Sequence, residues 1–83
     1  MEKAIVMYST SWCPDCIRAE WVLKDKNCIY QKIDIELDEQ AAQLVMKYAN
    51  GKRVVPTLVI TDGNGHEQIL VNPKPQELIS AIN

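Results

Sequence analysis

Ala4-Ile5-Val6-Met7-Tyr8 is an unbroken apolar run, the pattern of a strand covered on both faces. A polar break follows at Ser9-Thr10-Ser11. From Pro14 to about Lys26 no further Gly or Pro intervenes, and Cys16, Ala19, Val22 and Leu23 recur at helical spacing as an inward stripe. Proline fits the first helical turn, where its missing N–H would be unpaired anyway. Ile29 to Ile35 then alternates, with Ile29, Gln31, Ile33 and Ile35 on one face and Tyr30, Lys32 and Asp34 on the other, which predicts a half-exposed or edge strand. Asp38 is placed to cap a second helix whose apolar residues are Ala41, Leu44, Val45 and Tyr48, and Asn50-Gly51 supplies its stop. Thr57 to Ile60 reads as a third strand, Asp62-Gly63-Asn64-Gly65 as a hairpin turn, and Glu67 to Val71 as the returning strand. Pro73 and Pro75 introduce a last short helix expected to bury Leu78, Ile79 and Ile82.

The predicted order is β-α-β-α-β-β-α, an α/β class domain over residues 1–83 without internal repeat or linker. Strands one and two, joined by a helix, should be parallel with a right-handed crossover, and strands three and four form an antiparallel hairpin. The most apolar strand belongs inside, so the expected sheet order is 2-1-3-4. The segment after the first strand then lies at the carboxyl end of a central strand, where α/β folds hold their ligands.

Cys13-Pro14-Asp15-Cys16 occupies that segment. Free amide N–H groups and the helix dipole favour a thiolate at the first cysteine, and positions three apart share a helix face, so the second sulfur can reach the first. An exposed, ionised sulfur at Cys13 with a resolving partner at Cys16 is the arrangement this pattern predicts. Asp15 opposes it in part, since a carboxylate beside Cys13 disfavours the thiolate.

The formal net charge of −2 gives no electrostatic reason to expect nucleic acid or an anionic membrane as partner. Met1-Glu2-Lys3 leads straight into the first strand, with no leader pattern and no apolar stretch near the ~20 residues that span a bilayer, so the expected location is the cytoplasm. In that reducing compartment a Cys-x-x-Cys pair is catalytic or metal-binding rather than a staple, and three cysteines leave one unpaired. Zinc sites use the same spacing, and Cys13, Cys16, Cys28 and His66 make four ligands on paper. Cys28 falls at the far end of the first helix and His66 by the hairpin turn, which argues against convergence and leaves no metal site expected. Cys28 is read as a small buried hydrophobe, His66 as a solvated turn residue, and Met7 and Met46 as core. Trp12 either flanks a substrate groove or caps the core. Ile17 and Trp21 share another helix face, either packed on a neighbouring helix or open as an apolar patch.

A strand, then Thr-Ser-Trp-Cys-Pro-Asp-Cys over residues 10–16, then Val55-Pro56-Thr57 about forty residues on, resembles the thioredoxin fold in its minimal glutaredoxin form. Tyr8 to Cys13, Gly51 to Thr57 and Leu70-Val71-Asn72-Pro73 are most similar to the mycoredoxin-type glutaredoxins. The resemblance implies a thiol–disulfide oxidoreductase in which Cys13 is the nucleophile, Cys16 the resolving thiol and Pro56 the cis-proline facing the dithiol. It further implies that Trp12, Pro14, Arg53, Val54, Val55 and Pro56 meet the substrate, with Val55 offering its backbone N–H and C=O to an extended thiol and Lys52 or Arg53 meeting a carboxylate.

One departure bears on the co-substrate. Glutaredoxins that use glutathione carry a Gly-Gly pair and an acidic residue before the last helix, where this chain has Val71-Asn72-Pro73-Lys74-Pro75, and two prolines remove two donor amides. No cofactor is expected to be bound tightly; a low-molecular-weight thiol, glutathione or an analogue, is the implied co-substrate. The implied partners are proteins carrying disulfides, with a small thiol or a flavin disulfide reductase as electron source. The alternatives are a thioredoxin-like donor recharged by such a reductase, and an iron–sulfur or zinc-binding glutaredoxin.

Overall fold

The computed structural model describes residues 3–82. Met1 and Glu2, part of the expected lead-in, and Asn83 lie outside the described residues. The elements are β1 (Ala4–Ser9), α1 (Pro14–Asp25), β2 (Tyr30–Asp34), α2 (Glu39–Tyr48), β3 (Thr57–Thr61), β4 (Glu67–Val71) and α3 (Pro75–Ile82). They form a four-stranded sheet of order β2-β1-β3-β4, as the hydrophobic pattern predicts. β1 runs parallel to β2 and antiparallel to β3, and β3 antiparallel to β4.

Strand alternation sorts the core into two layers. Ile5 and Met7 of β1 face α1 and α3, packing with Ala19, Leu23, Leu58, Ile60, Leu78 and Ala81. Tyr8 points the other way and packs with Ile35, Ala41, Ala42, Val45 and Val59 against α2. β1 is therefore covered on both faces, as its apolar run requires. That burial fixes the strand whose end carries the Cys13–Cys16 segment.

The helix ends are defined by specific chemistry. Asp38 caps α2 by accepting from the Ala41 N–H at 3.1 Å. α1 closes in a Schellman motif: Asn27 takes φ 57°, Asn27 N–H bonds Lys24 O, and Cys28 N–H bonds Leu23 O. Cys28 packs beside the α1–α3 core as a half-buried residue, less enclosed than expected. α2 stops the same way, with Asn50 at φ 56° and Gly51 N–H on Met46 O.

Several inward positions differ from the pattern. Ile29 is 85% exposed, because β2 begins one residue later and parallel pairing starts at Tyr30. Tyr30 turns toward α1 instead: its hydroxyl donates to Glu20 Oε2 at 2.6 Å, and Lys32 Nζ reaches Glu20 Oε1 at 2.9 Å. Burial alone would raise the Glu20 carboxyl, but those two donors and the Lys32 charge outweigh it and hold the group below its ordinary range. This triad pins the edge strand to α1. In α3, Ala81 is buried with Leu78 while Ile79 and Ile82 are only half-buried, so the enclosed face of the helix runs through Leu78 and Ala81. Ala42, small and easily overlooked, is fully buried in α2, and Met46 is half-buried rather than core.

These differences are measurable. Leu23→Ala, which empties a fully enclosed site, should cost about 2–5 kcal/mol in urea unfolding. Ile29→Ala should stay within about 0.5 kcal/mol of wild type; a loss comparable to that of Leu23→Ala would contradict the exposed placement.

Candidate active site

Cys13 is the N-cap of α1, with extended backbone (φ −92°, ψ 109°) before Pro14 starts the helix. Its sulfur accepts the Cys16 N–H at 3.0 Å, the bond that a serine or aspartate oxygen makes at other helix starts. Ile17 N–H, one residue on, bonds the Cys13 carbonyl at 3.3 Å and closes the first turn. Cys13 is thus held at a positive helix end by a donor aimed at its sulfur.

The expected exposure of Cys13 is overturned: the residue is only 4% accessible. The reason is tertiary. The Val55 carbonyl stands 3.7 Å from the Cys13 sulfur, so the segment before β3, which contains the cis Val55–Pro56 peptide, covers Cys13. That segment is itself anchored. Thr57 Oγ1 donates to Val54 O at 2.7 Å, and Asn72 N–H, at φ 47°, donates to Pro56 O at 2.8 Å. The Thr57 bond is local, reaching three residues back, whereas the Asn72 bond joins segments far apart in sequence, a relation that spacing does not reveal.

Cys16 lies deeper, 2% exposed. Burial pushes its thiol up to about 12, the bond it makes to the Cys13 sulfur adds to the rise, and a bond from the Thr10 backbone opposes it. Both sulfurs are free thiols. The pair is therefore asymmetric, with an end-capping sulfur above and a proton-holding one beneath.

The rim divides. Trp12 is 67% exposed and does not cap the core; its indole N–H donates to Glu36 Oε1 at 3.0 Å, a partner that no local pattern signals. Pro14 is exposed, Val54 and Val55 are half-buried and Pro56 is buried. Arg53 is exposed and faces Glu39 at 3.5 Å, at the start of α2. Asp15 is engaged by Arg18 at 2.6 Å, which offsets the carboxylate set beside Cys13. Ile17 and Trp21 are exposed, so the packing of this pair on a neighbouring helix does not occur. A cleft of about 250 Å³ opens between α1 and the Asn72–Pro75 turn, lined by Arg18, Val22, Lys74 and Leu78 among others. At the start of α3, Lys74 N–H is taken by Glu77 Oε1 at 2.8 Å, half of a capping box. His66 stands exposed beside Asp62 in the hairpin turn. Among the described residues no group of three His, Cys, Asp or Glu side chains is arranged to hold a metal ion, and no helix is long and apolar enough to cross a membrane.

The raised Cys16 value has a signed consequence. Between about pH 9 and 12 the unfolded chain releases the Cys16 proton and the folded chain keeps it. Stability of the reduced protein is thus full below that window and falls as pH rises through it. The urea midpoint of reduced wild type should drop between pH ~8 and ~10.5, and Cys16→Ser should drop less; equal declines would refute the assignment.

Comparison with known proteins agrees with this geometry. Residues 5–65 match the family model described as glutaredoxin. A Mycobacterium tuberculosis protein named as a glutaredoxin is 36% identical over 75 residues, covering 90% of this chain and 84% of its own. Mycoredoxin 1 of Corynebacterium glutamicum is 33% identical over 78 residues, covering 94% of this chain and 91% of its own. The solved structure of the glutaredoxin-like NrdH-redoxin of Escherichia coli superposes with a TM-score of 0.74 over 93% of this chain and 92% of that one, at 16% identity, a likeness of fold alone. With a paired dithiol at a helix start and relatives that agree along nearly its whole length, the chain belongs to the glutaredoxin family of thiol–disulfide oxidoreductases.

Proposed function

We propose that the protein reduces disulfides in other proteins, or mixed disulfides between proteins and low-molecular-weight thiols, with Cys13 attacking and Cys16 resolving. The observation that carries this reading is the asymmetry of the two sulfurs: Cys13 receives the Cys16 N–H, while the Cys16 thiol beneath keeps its proton. The Cys13 thiolate attacks one sulfur of the substrate disulfide, and the other leaves as a thiol. Cys16 then attacks Cys13, breaks the mixed disulfide and releases the second thiol. The enzyme dithiol is oxidised by two electrons and the substrate disulfide is reduced to two thiols. A ring closed over so few residues gains little from chain entropy, so the oxidised pair is readily reduced again.

Substrate contact falls to the surfaces around Cys13. The Val55 backbone, whose carbonyl stands 3.7 Å from the sulfur, suits an extended thiol substrate laid along Val54, Val55 and Pro56. Trp12 and Pro14 form the exposed lip, and Arg53, in a loose exposed pair with Glu39, is free to turn to a substrate carboxylate.

The start of α3 favours a second reading of the electron source. Pro73 and Pro75 lack N–H groups and the Lys74 N–H is already bonded to Glu77, so this turn offers few amides to anchor a γ-glutamyl carboxylate. Recharging by a flavin disulfide reductase, or by a small thiol other than glutathione, fits this better than recharging by glutathione. Coupled NADPH oxidation with thioredoxin reductase against glutathione plus its reductase separates the two; faster turnover with glutathione would refute the preference.

Cys13→Ser should abolish disulfide reduction. Cys16→Ser should retain the first exchange and accumulate a mixed disulfide at Cys13, seen as added mass in the intact protein. Undiminished turnover in Cys13→Ser would overturn the reading.

A further inference from the structure

Ser9 and Thr10 each bury a hydroxyl that finds no hydrogen-bond partner among the described residues. Such orphans are rare in folded proteins, because a buried polar atom without a partner has lost its water for nothing. Their place in the fold says what they face. Ile5 and Met7 turn toward α1, so by strand alternation Ser9 does too. Along α1 the buried positions are Cys16, Ala19 and Leu23. α1 runs back along β1, so the end of the strand lies level with the start of the helix, and Ser9 comes under Cys16. Thr10, the next residue, sets its backbone near enough to the Cys16 thiol to lower it against the effect of burial. Two unpartnered hydroxyls thus lie in the short segment that leads from the end of β1 to the helix start carrying the more deeply buried sulfur.

We propose that Ser9 and Thr10 are positioning residues for the resolving step, their hydroxyls turning onto the Cys16 sulfur as it becomes a thiolate. The inference rests on the reading of Cys16 as the resolving thiol. A neutral thiol asks little of a donor, whereas a buried thiolate asks for as many as can reach it. The hydroxyls supply this at the moment of attack. In that step the Cys16 S–H bond breaks and its proton leaves to solvent. The sulfur then bonds to Cys13, and the substrate sulfur departs with the electron pair of the mixed disulfide. The other titratable groups acting around Cys16 are Cys13 and Asp15 on its own helix and Lys32 from β2, itself held by Glu20.

The test is a single turnover of the reduced protein with 5,5′-dithiobis(2-nitrobenzoate), which releases one coloured thiolate when Cys13 attacks and a second when Cys16 resolves. Thr10→Val keeps the shape and removes the hydroxyl; Ser9→Ala removes the other. Each should slow the second release about tenfold, the size expected for losing a hydrogen bond to a charged group, and move its pH profile to the alkaline side. The double variant should slow it further, and Thr10→Ser should restore the wild-type rate. Urea midpoints of the reduced variants should stay level or rise, because a purely structural hydroxyl would show the opposite. An unchanged second release in the double variant overturns the inference while leaving the proposed function standing. No first release from wild type refutes the role of Cys13 itself. Should Ser9→Ala fail to fold, the Thr10→Val and Thr10→Ser pair decides.

Discussion

One hydrogen bond organises the site: the Cys16 N–H donated to the Cys13 sulfur at 3.0 Å. It makes Cys13 the N-cap of α1, so its sulfur occupies the position where a helix start needs an acceptor. Capping and chemistry are then one arrangement. The donor belongs to Cys16, and the turn that presents it also carries the Cys16 side chain inward, beneath the capping sulfur. Helix geometry both supplies the environment of the capping sulfur and places the second thiol beside it.

That turn is placed by β1, which is held between two apolar layers. A strand buried on both faces has little freedom to slide, because a shift of one residue would exchange its two side-chain sets between layers. The opposite wall is secured separately. Pro56 is reached from the Asn72 N–H and Val54 from the Thr57 hydroxyl, so the roof over Cys13 is tied both to the entry of β3 and to the turn before α3. The Glu20–Tyr30–Lys32 triad holds β2 against the same helix from the other side. The dithiol sits between the start of α1 and the anchored segment before β3, and its low accessibility follows from that cover.

The polar groups around the site are disposed unevenly. Asp15 is answered by Arg18, and Trp12 by Glu36, both at the exposed rim where such bonds contribute on the order of 0–1 kcal/mol. Beneath the rim, Ser9 and Thr10 leave hydroxyls without partners in a place where that is costly. The fold is satisfied at its surface and has its exception at the end of β1, in the segment that leads into the Cys13–Cys16 turn.

Much of this was legible in the chain. Apolar periodicity determined the element order and the 2-1-3-4 sheet, Asp38 and Asn50-Gly51 marked the limits of α2, and the spacing of Cys13 and Cys16 after a buried strand located the chemistry. These are local signals, carried by residues within a turn or a strand of one another. What sequence did not give were relations between distant segments: the roof that hides Cys13, the bond from Asn72 to Pro56, the tether of Trp12 to Glu36, and the turn of Tyr30 toward Glu20 rather than away from it. Ile29 falls outside the paired strand because alternation fixes which residues share a face but not where pairing begins. Periodicity encodes what each residue prefers to touch; only the packed chain decides which partner arrives, because that depends on the register and closeness of elements tens of residues apart.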